Sequence, residues 1–316
     1  MGMRSKVSPA GLASAFLALV AAASLARTLS RPPWPLELLN HYPLHYGFLL
    51  AAGTLLLLYL REHKRAAFFG LFALWNIGVV SGDLWGKVPV DADAPRLKIV
   101  LANVFTENRE FEKVEDWILS EDPDLVVLME VDHRWWARLD RLRERYPHGE
   151  QILRGDNFGI ALMSRKPFRS AEILPALESY LPSVRAKLDF GGRPLSLFAT
   201  HPLPPTSQEH LDKRDAQLSR MGALAKKAAA EGEVVLLGDF NTTPWSPSFR
   251  RLLRTSGLRD SRRGFGLQAT WPEGMPILLL PLDHLLVSPG IGVVERRTGD
   301  WNGSDHRPVV ASLALR

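Results

Sequence analysis

Cysteine is absent from all 316 residues. That excludes disulfide staples, thiolate metal centres and a cysteine nucleophile. Charge is nearly absent from long stretches of the first ninety residues. Eight Lys or Arg and three Asp or Glu fall in residues 1–90, whereas residues 91–316 carry 31 of each. The net charge of +5 and the pI near 9.5 therefore arise in the amino-terminal part. The larger part lacks the excess of Lys and Arg that marks a nucleic-acid-binding face. Six arginines do gather at Arg250, Arg251, Arg254, Arg259, Arg262 and Arg263. They read as a solvated helix face and loop. Internal repeats and low-complexity tracts are also missing.

The first ninety residues instead contain three apolar runs, at about 8–26, 44–60 and 66–85, the last fraying at Asp83. Each approaches the ~20 residues a helix needs to cross a hydrocarbon core. Trp and Tyr near several ends suit a membrane interface. Arg4 and Lys6 precede the first run, and Arg61, Lys64 and Arg65 sit between the second and third. The positive-inside bias then predicts a cytoplasmic amino terminus and an extracytoplasmic carboxyl-terminal part. The first run also has the form of a cleavable signal peptide, which would leave two spans and the same orientation. Residues 1–90 thus read as a multi-pass anchor in a cell membrane, residues 91–96 as a linker, and residues 97–316 as a separate domain.

That domain alternates apolar strand-like runs with amphipathic stretches. Strands are predicted at 97–104, 124–131, 159–165, 184–190, 194–201, 234–241, 282–288 and 308–315. Helices are predicted at 111–119, over RWWARLDRLRERY after residue 133, at 208–230 and at 247–254. Strands paired by hairpins, with helices between others, indicate an α+β domain of two packed sheets flanked by helices.

Polar side chains recur within or just beyond these runs: Asn103, Glu130, His201, Asp239 with Asn241, Asp283, and Asp305 with His306. Strand ends let a rigid scaffold converge side chains on one point. Each alone has a plainer reading, as a turn cap, an arginine partner or a packed histidine. Together they resist that reading, because buried carboxylates are costly unless paired or bound to a cation.

Gly238-Asp239-Phe240-Asn241 followed by Pro244, and Ser304-Asp305-His306-Arg307-Pro308, resemble motifs of the endonuclease/exonuclease/phosphatase (DNase I-like) family. Pro123-Asp124 through Glu130, Thr200-His201 and Leu282-Asp283-His284 follow in the family's order. The resemblance implies a four-layer α/β/β/α sandwich, preceded here by two or three transmembrane helices. It implies a metal-dependent phosphoesterase with Glu130 as the principal Mg²⁺ carboxylate (Mn²⁺ as substitute), supported by Asn103 and Asp305. Asp239 would position or deprotonate the attacking water, and Asn241 would hold a phosphoryl oxygen. His306, oriented by Asp283, would act as general base or phosphate ligand. His201 would donate to a phosphoryl oxygen, and Arg185 would contact phosphate. With its anchor, the chain is similar to the family's bacterial membrane-anchored branch, which includes a teicoplanin-resistance protein.

Three functions follow as expectations. The anchor and the neutral domain favour a phosphorylated substrate among membrane lipids or their headgroups. An extracytoplasmic nuclease acting on nucleic acid is the alternative. A catalytically silent binding protein is disfavoured by retention of every expected polar position.

Overall fold

The computed structural model describes residues 8–175, 181–300 and 302–316. Arg4 and Lys6 lie outside them. Two six-stranded sheets form the centre. The first runs β11 (Ile291–Thr298), β12 (Val309–Leu315), β1 (Arg96–Asn103), β2 (Leu125–Met129), β4 (Ile160–Ser164) and β3 (His148–Ile152). The second runs β5 (Ser170–Leu174), β6 (Ser183–Phe190), β7 (Arg193–Thr200), β8 (Glu233–Asp239), β10 (Asp283–Val287) and β9 (Arg259–Asp260).

Continuous apolar runs become the central strands because both faces of each sheet are covered. Ile99, Leu101, Val127, Met129, Val184, Leu197, Leu237 and Leu285 fill the space between the sheets. The opposite face of the first sheet packs on α5 (Phe111–Glu121), α6 (His133–Trp136) and α7 (Asp140–Arg145) through Val114, Ile118, Trp135 and Leu142. The second sheet packs on α8 (Gln208–Ala228) and α9 (Pro247–Ser256) through Leu218, Met221, Phe249 and Leu252. These are the four expected layers, α/β/β/α.

Four strands are absent from the sequence reading: β3, β5, β9 and β11. All four are edge strands. β3 and β5 are half-exposed, so their sequences HGEQI and SAEIL never show a long apolar run. The single helix expected after residue 133 is two short ones. Asp132 caps the first through Trp135 N–H (2.8 Å). The chain then breaks at Ala137–Leu139 so that both Trp135 and Leu142 reach the core.

Among the described residues the amino-terminal part holds four α-helices: α1 (Pro9–Leu25), α2 (Trp34–Glu37), α3 (Pro43–Tyr59) and α4 (His63–Ser81). α1, α3 and α4 pack together through Leu17, Leu50, Leu57 and Phe69. Leu12, Leu19, Leu55, Leu71 and Leu74 remain exposed on their outer surface. One helical stretch, Pro9–Thr28, is long and apolar enough to cross a membrane by itself. Trp34–His41 and Pro43–Tyr59 reach that standard only as a pair bent by 71°. α4 opens on His63-Lys64-Arg65 and falls short, so three equivalent spans are not what the structure presents.

The helices dock on the sandwich through buried polar groups. Glu37 accepts from Arg214 Nη2 (2.8 Å), and His41 Nδ1 meets Thr243 Oγ1 (3.0 Å). Asp83, where the third apolar run frays, accepts from Arg262 Nη2 (2.9 Å). Arg262 is fully buried and also holds Asp260. The expected solvated arginine cluster holds for Arg254 and Arg263, which are exposed, and is corrected for the others. Arg262 is interior, Arg251 pairs with Asp215, and Arg259 donates to the carbonyls of Pro289 and Ile291.

Candidate active site

Every polar strand-end residue except Arg185 comes to one edge of the sandwich, because topology aligns the ends. β1 and β2 are parallel, with Asn103 opposite Met129, so Glu130 follows directly beside Asn103. β7 and β8 are parallel and bring His201 and Asp239 to the same edge. β10 and β12 run the other way, so this edge is where they begin, at Asp283 and just after His306. Asp239 and Asp283 are direct cross-strand partners, which puts both carboxylates on one sheet face.

The contacts are short and buried. Asn103 Nδ2 donates to Glu130 Oε1 (2.9 Å) and to Asp239 Oδ2 (3.3 Å). His201 Nε2 and His306 Nε2 approach Asp239 Oδ2 at 3.5 and 3.6 Å. His306 Nδ1 lies 2.7 Å from Asp283 Oδ2. Asn241 donates its backbone N–H to Asp239 Oδ1 (2.9 Å) and its side-chain amide to the Pro202 carbonyl (3.0 Å). Glu130 and Asn241 have φ of +66° and +50°. Non-glycine residues rarely adopt this region, and such strain concentrates at functional sites. Gly238 (φ +146°) is required for closeness, since a Cβ there would lie 1.9 Å from the Thr200 carbonyl oxygen.

Electrostatics divides the roles. Burial pushes the Glu130 carboxyl above the ordinary carboxylate range. Burial would do the same to Asp239, but the imidazoles of His306 and His201 outweigh it and hold that carboxyl well below. Burial would depress His306, yet Asp283 and Asp239 push it up to about 10. His201 is raised too, because Asp239 and then Glu130 overcome its desolvation. His306 therefore holds its proton at neutral pH and is a hydrogen-bond donor.

The donor set suits a hard cation. Oδ1 of Asp283 and Oδ1 of Asp305 are buried with no hydrogen-bond partner, an arrangement that is costly unless positive charge is supplied. Asp305 Oδ2 accepts from Trp271 Nε1 (3.1 Å). Asp239, Asp283 and His306 each offer a ligand atom within 4.8 Å of the others. The His306 hydrogen bond engages only one oxygen of Asp283, so Asp283 and Asp305 each keep a free oxygen, while Glu130 and Asp239 accept hydrogen bonds at both of theirs. Asn103 turns its amide nitrogen toward Glu130 while its oxygen accepts from Phe105 N–H (3.0 Å). In this arrangement it holds the carboxylates and does not present a ligand oxygen.

Arg185 stands apart. It alternates with the core residues Val184 and Ala186, faces the outside of β6 and pairs with Glu172 (2.8 Å). Other contributors escaped the sequence reading. Thr106 donates its N–H to Glu130 Oε2 (3.2 Å) and its hydroxyl to the Glu130 carbonyl (3.0 Å). Ser304 donates to the Asn103 carbonyl (2.7 Å) and receives His306 N–H (3.0 Å). Arg214 Nη1 donates to the Asn241 carbonyl (3.0 Å). Ser304 lies inside the Ser304–Pro308 motif, which is its local signal. Thr106 and Arg214 carry no local signal, because their partners are distant in the chain.

A sequence profile described as the endonuclease/exonuclease/phosphatase family matches residues 75–306. No curated protein is matched at a significant level. Among solved structures, D. rerio TDP2 complexed with a single-strand DNA product is similar at 19% identity and TM-score 0.59, covering 71% of this chain and 100% of that one. The catalytic domain of human Nocturnin with bound sulfate has 19% identity and TM-score 0.59, covering 72% and 97%. An endonuclease/exonuclease/phosphatase from Beutenbergia cavernae has 23% identity and TM-score 0.56, covering 70% and 72%. With more than half its length inside the family profile and the polar strand ends gathered at one edge, this chain belongs to the endonuclease/exonuclease/phosphatase family and is a metal-dependent hydrolase of phosphate esters.

Proposed function

We propose that the enzyme uses Mg²⁺, or Mn²⁺ in its place, to hydrolyse a phosphate ester, pyrophosphate or phosphodiester of a membrane lipid or its headgroup. The observation that carries this reading is the docking of the amino-terminal helices beside the active-site edge. His41 reaches Thr243, and Arg214 links Glu37 to the carbonyl of Asn241. Tyr42 and Leu44 pack with Trp271, Leu280 and Leu282. If the helices lie in a bilayer, the cleft sits at its surface. The loop after Trp271 supports the same reading, for Met275 and Ile277 are 57% and 80% exposed. The Ile277 carbonyl meets His45 at the start of α3. Apolar side chains at that position suit the headgroup boundary.

The residues divide the work by charge. His306, which holds its proton, and His201 donate to phosphoryl oxygens as negative charge develops. Asp239, ionised throughout the physiological range, aligns the attacking water and accepts its proton. Asn241 steadies a phosphoryl oxygen. Glu130 and Asp305 would hold the cation, which would supply positive charge to neutralise the phosphate. The orientation expected from the basic turn at Arg61, Lys64 and Arg65 puts the cleft on the extracytoplasmic face. That turn is exposed at the end of the bundle away from the sandwich.

Purified protein assayed with Mg²⁺ against polyprenyl pyrophosphate, phospholipids and single-stranded DNA tests the proposal. Lipid turnover several-fold above DNA turnover is expected. Turnover of DNA alone would support the nuclease reading suggested by the likeness to TDP2, and would end this one.

A further inference from the structure

A cavity of about 500 Å³ opens where the helices meet the sandwich, against Pro244 and Trp245. Arg27, Trp75 and Val79 wall it from the helices, and Trp245, Phe249 and Arg250 from the catalytic domain. None of these residues belongs to the catalytic cluster.

Its charges are uncompensated. Arg27 is 5% exposed, and its guanidinium lies 3.7 Å from the Trp75 ring centroid. Arg27 Nη1 donates to Asn76 Oδ1 (2.8 Å), while Nη2 is buried with no partner. Arg250 donates only to carbonyls, those of Trp245 and of Arg27 (2.8 Å for the latter). Among the described residues neither arginine meets a carboxylate. The two acids that line the cavity, Asp83 and Asp260, are both bonded to Arg262. Arg263, exposed at the rim, adds another cation. Arg27, Arg250 and Arg263 therefore line the cavity with two carboxylates already committed to Arg262, leaving an excess of positive charge in a partly desolvated space. Burial, then the neighbouring Arg254 and Arg251, pull the Arg250 pKa below its ordinary value, the signature of a cation short of a counter-ion.

The apolar surroundings select among anions. Leu71, 68% exposed, lies one turn before Trp75 on α4, and Leu74 is equally bare. A ligand with a charged head and hydrocarbon chains would satisfy both halves, with Arg27 and Arg250 gripping a phosphate in the manner that suits guanidinium. We propose that this cavity binds the phosphate headgroup of one anionic membrane lipid, held apart from the substrate. The inference rests on the membrane reading of the amino-terminal helices.

The test follows thermal unfolding of full-length protein in neutral detergent micelles, with phosphatidylglycerol, phosphatidylcholine or inorganic phosphate added. Phosphatidylglycerol should raise the midpoint by several degrees, since a ligand that binds the folded state alone stabilises it. The other two should leave it near the starting value. Arg27→Gln and Arg250→Gln should abolish the rise. Arg263→Glu, at the exposed rim, should weaken it while keeping the lipid-free midpoint, which guards against a folding defect in the buried variants. Glu130→Gln should retain it in full. An equal rise with phosphatidylcholine, an equal rise with inorganic phosphate alone, an undiminished rise in all three arginine variants, or a rise lost in Glu130→Gln would each overturn the proposal. A chain that stays monomeric and soluble without detergent would sink the membrane reading itself, a separate failure.

Discussion

His306 Nδ1 and Asp283 Oδ2 lie 2.7 Å apart at the active-site edge, and the bond joins one sheet to the other. Asp283 begins β10 in the second sheet, while His306 precedes β12 in the first. The contact thus holds the imidazole at the seam and supplies much of the field that keeps it charged.

Asp283→Asn removes that field and leaves the shape. His306, now near 10, should fall toward its ordinary value of 6.5. Its protonated form would be lost at lower pH, so the alkaline limb of the kcat profile should move downward. The rate at neutral pH should drop by about 10²-fold, the lower range for a positioned acid–base group. An unchanged alkaline limb in the pH–rate profile would show that His306 does not act as the donor.

Glu130→Gln keeps the volume and removes a metal-binding charge. Divalent-cation affinity, read by calorimetry, should weaken by more than ~100-fold, beyond the loss typical of residues that merely support a ligand. Chelation of the parent enzyme should abolish turnover, and added Mg²⁺ should restore it. Parent-like affinity in the variant would remove Glu130 from the cation site.

His284 governs stability on the acid side. It is fully buried between the Phe240 and Phe249 rings and donates from Nε2 to the Thr242 carbonyl (2.8 Å). Burial lowers its pKa to about 4 from 6.5. Between those values the unfolded chain takes up a proton that the folded chain refuses, so stability falls as pH drops through that window. The loss should total about 3 kcal/mol at most. His306, raised by folding, acts only above pH 6.5, while the raised Glu130 carboxyl works in the opposite sense and is common to parent and variant. His284→Gln should flatten the change in unfolding midpoint between pH 6.5 and 4.

Glu37 joins the helices to the catalytic segment. Its carboxyl accepts from Arg214 Nη2 (2.8 Å) and meets His41 (3.2 Å). Glu37→Ala should destabilise the protein by about 3–5 kcal/mol, the range for breaking a buried ion pair from one side. Denaturant titration in detergent measures it. A loss below about 1 kcal/mol would mean that Asp215, bonded to the same guanidinium, suffices alone.

Much of this was legible because apolar runs and strand ends coincide. Leu125–Met129 announces itself as a buried strand by five apolar residues, and Glu130 follows at once. Asp239 and His306 are marked by motif residues on either side. Arg185 misled because strand alternation, which sequence does not phase without the core, turns it outward. Arg262 misled for a related reason. Nothing nearby in the chain foretells that Asp83, far back in the sequence, reaches it. Long-range polar pairing leaves no periodic trace.

Those long-range pairs bear on how the enzyme can be handled. Cutting at the segment before β1 to obtain a free-standing catalytic fragment would strip Glu37, His41 and Asp83 at one stroke. Arg214 and Arg262, neither with any exposure, would each lose a counter-charge. The tether doubles as interior upholstery, and a fragment lacking it is a weakened protein whose Asn241 turn has lost its backing.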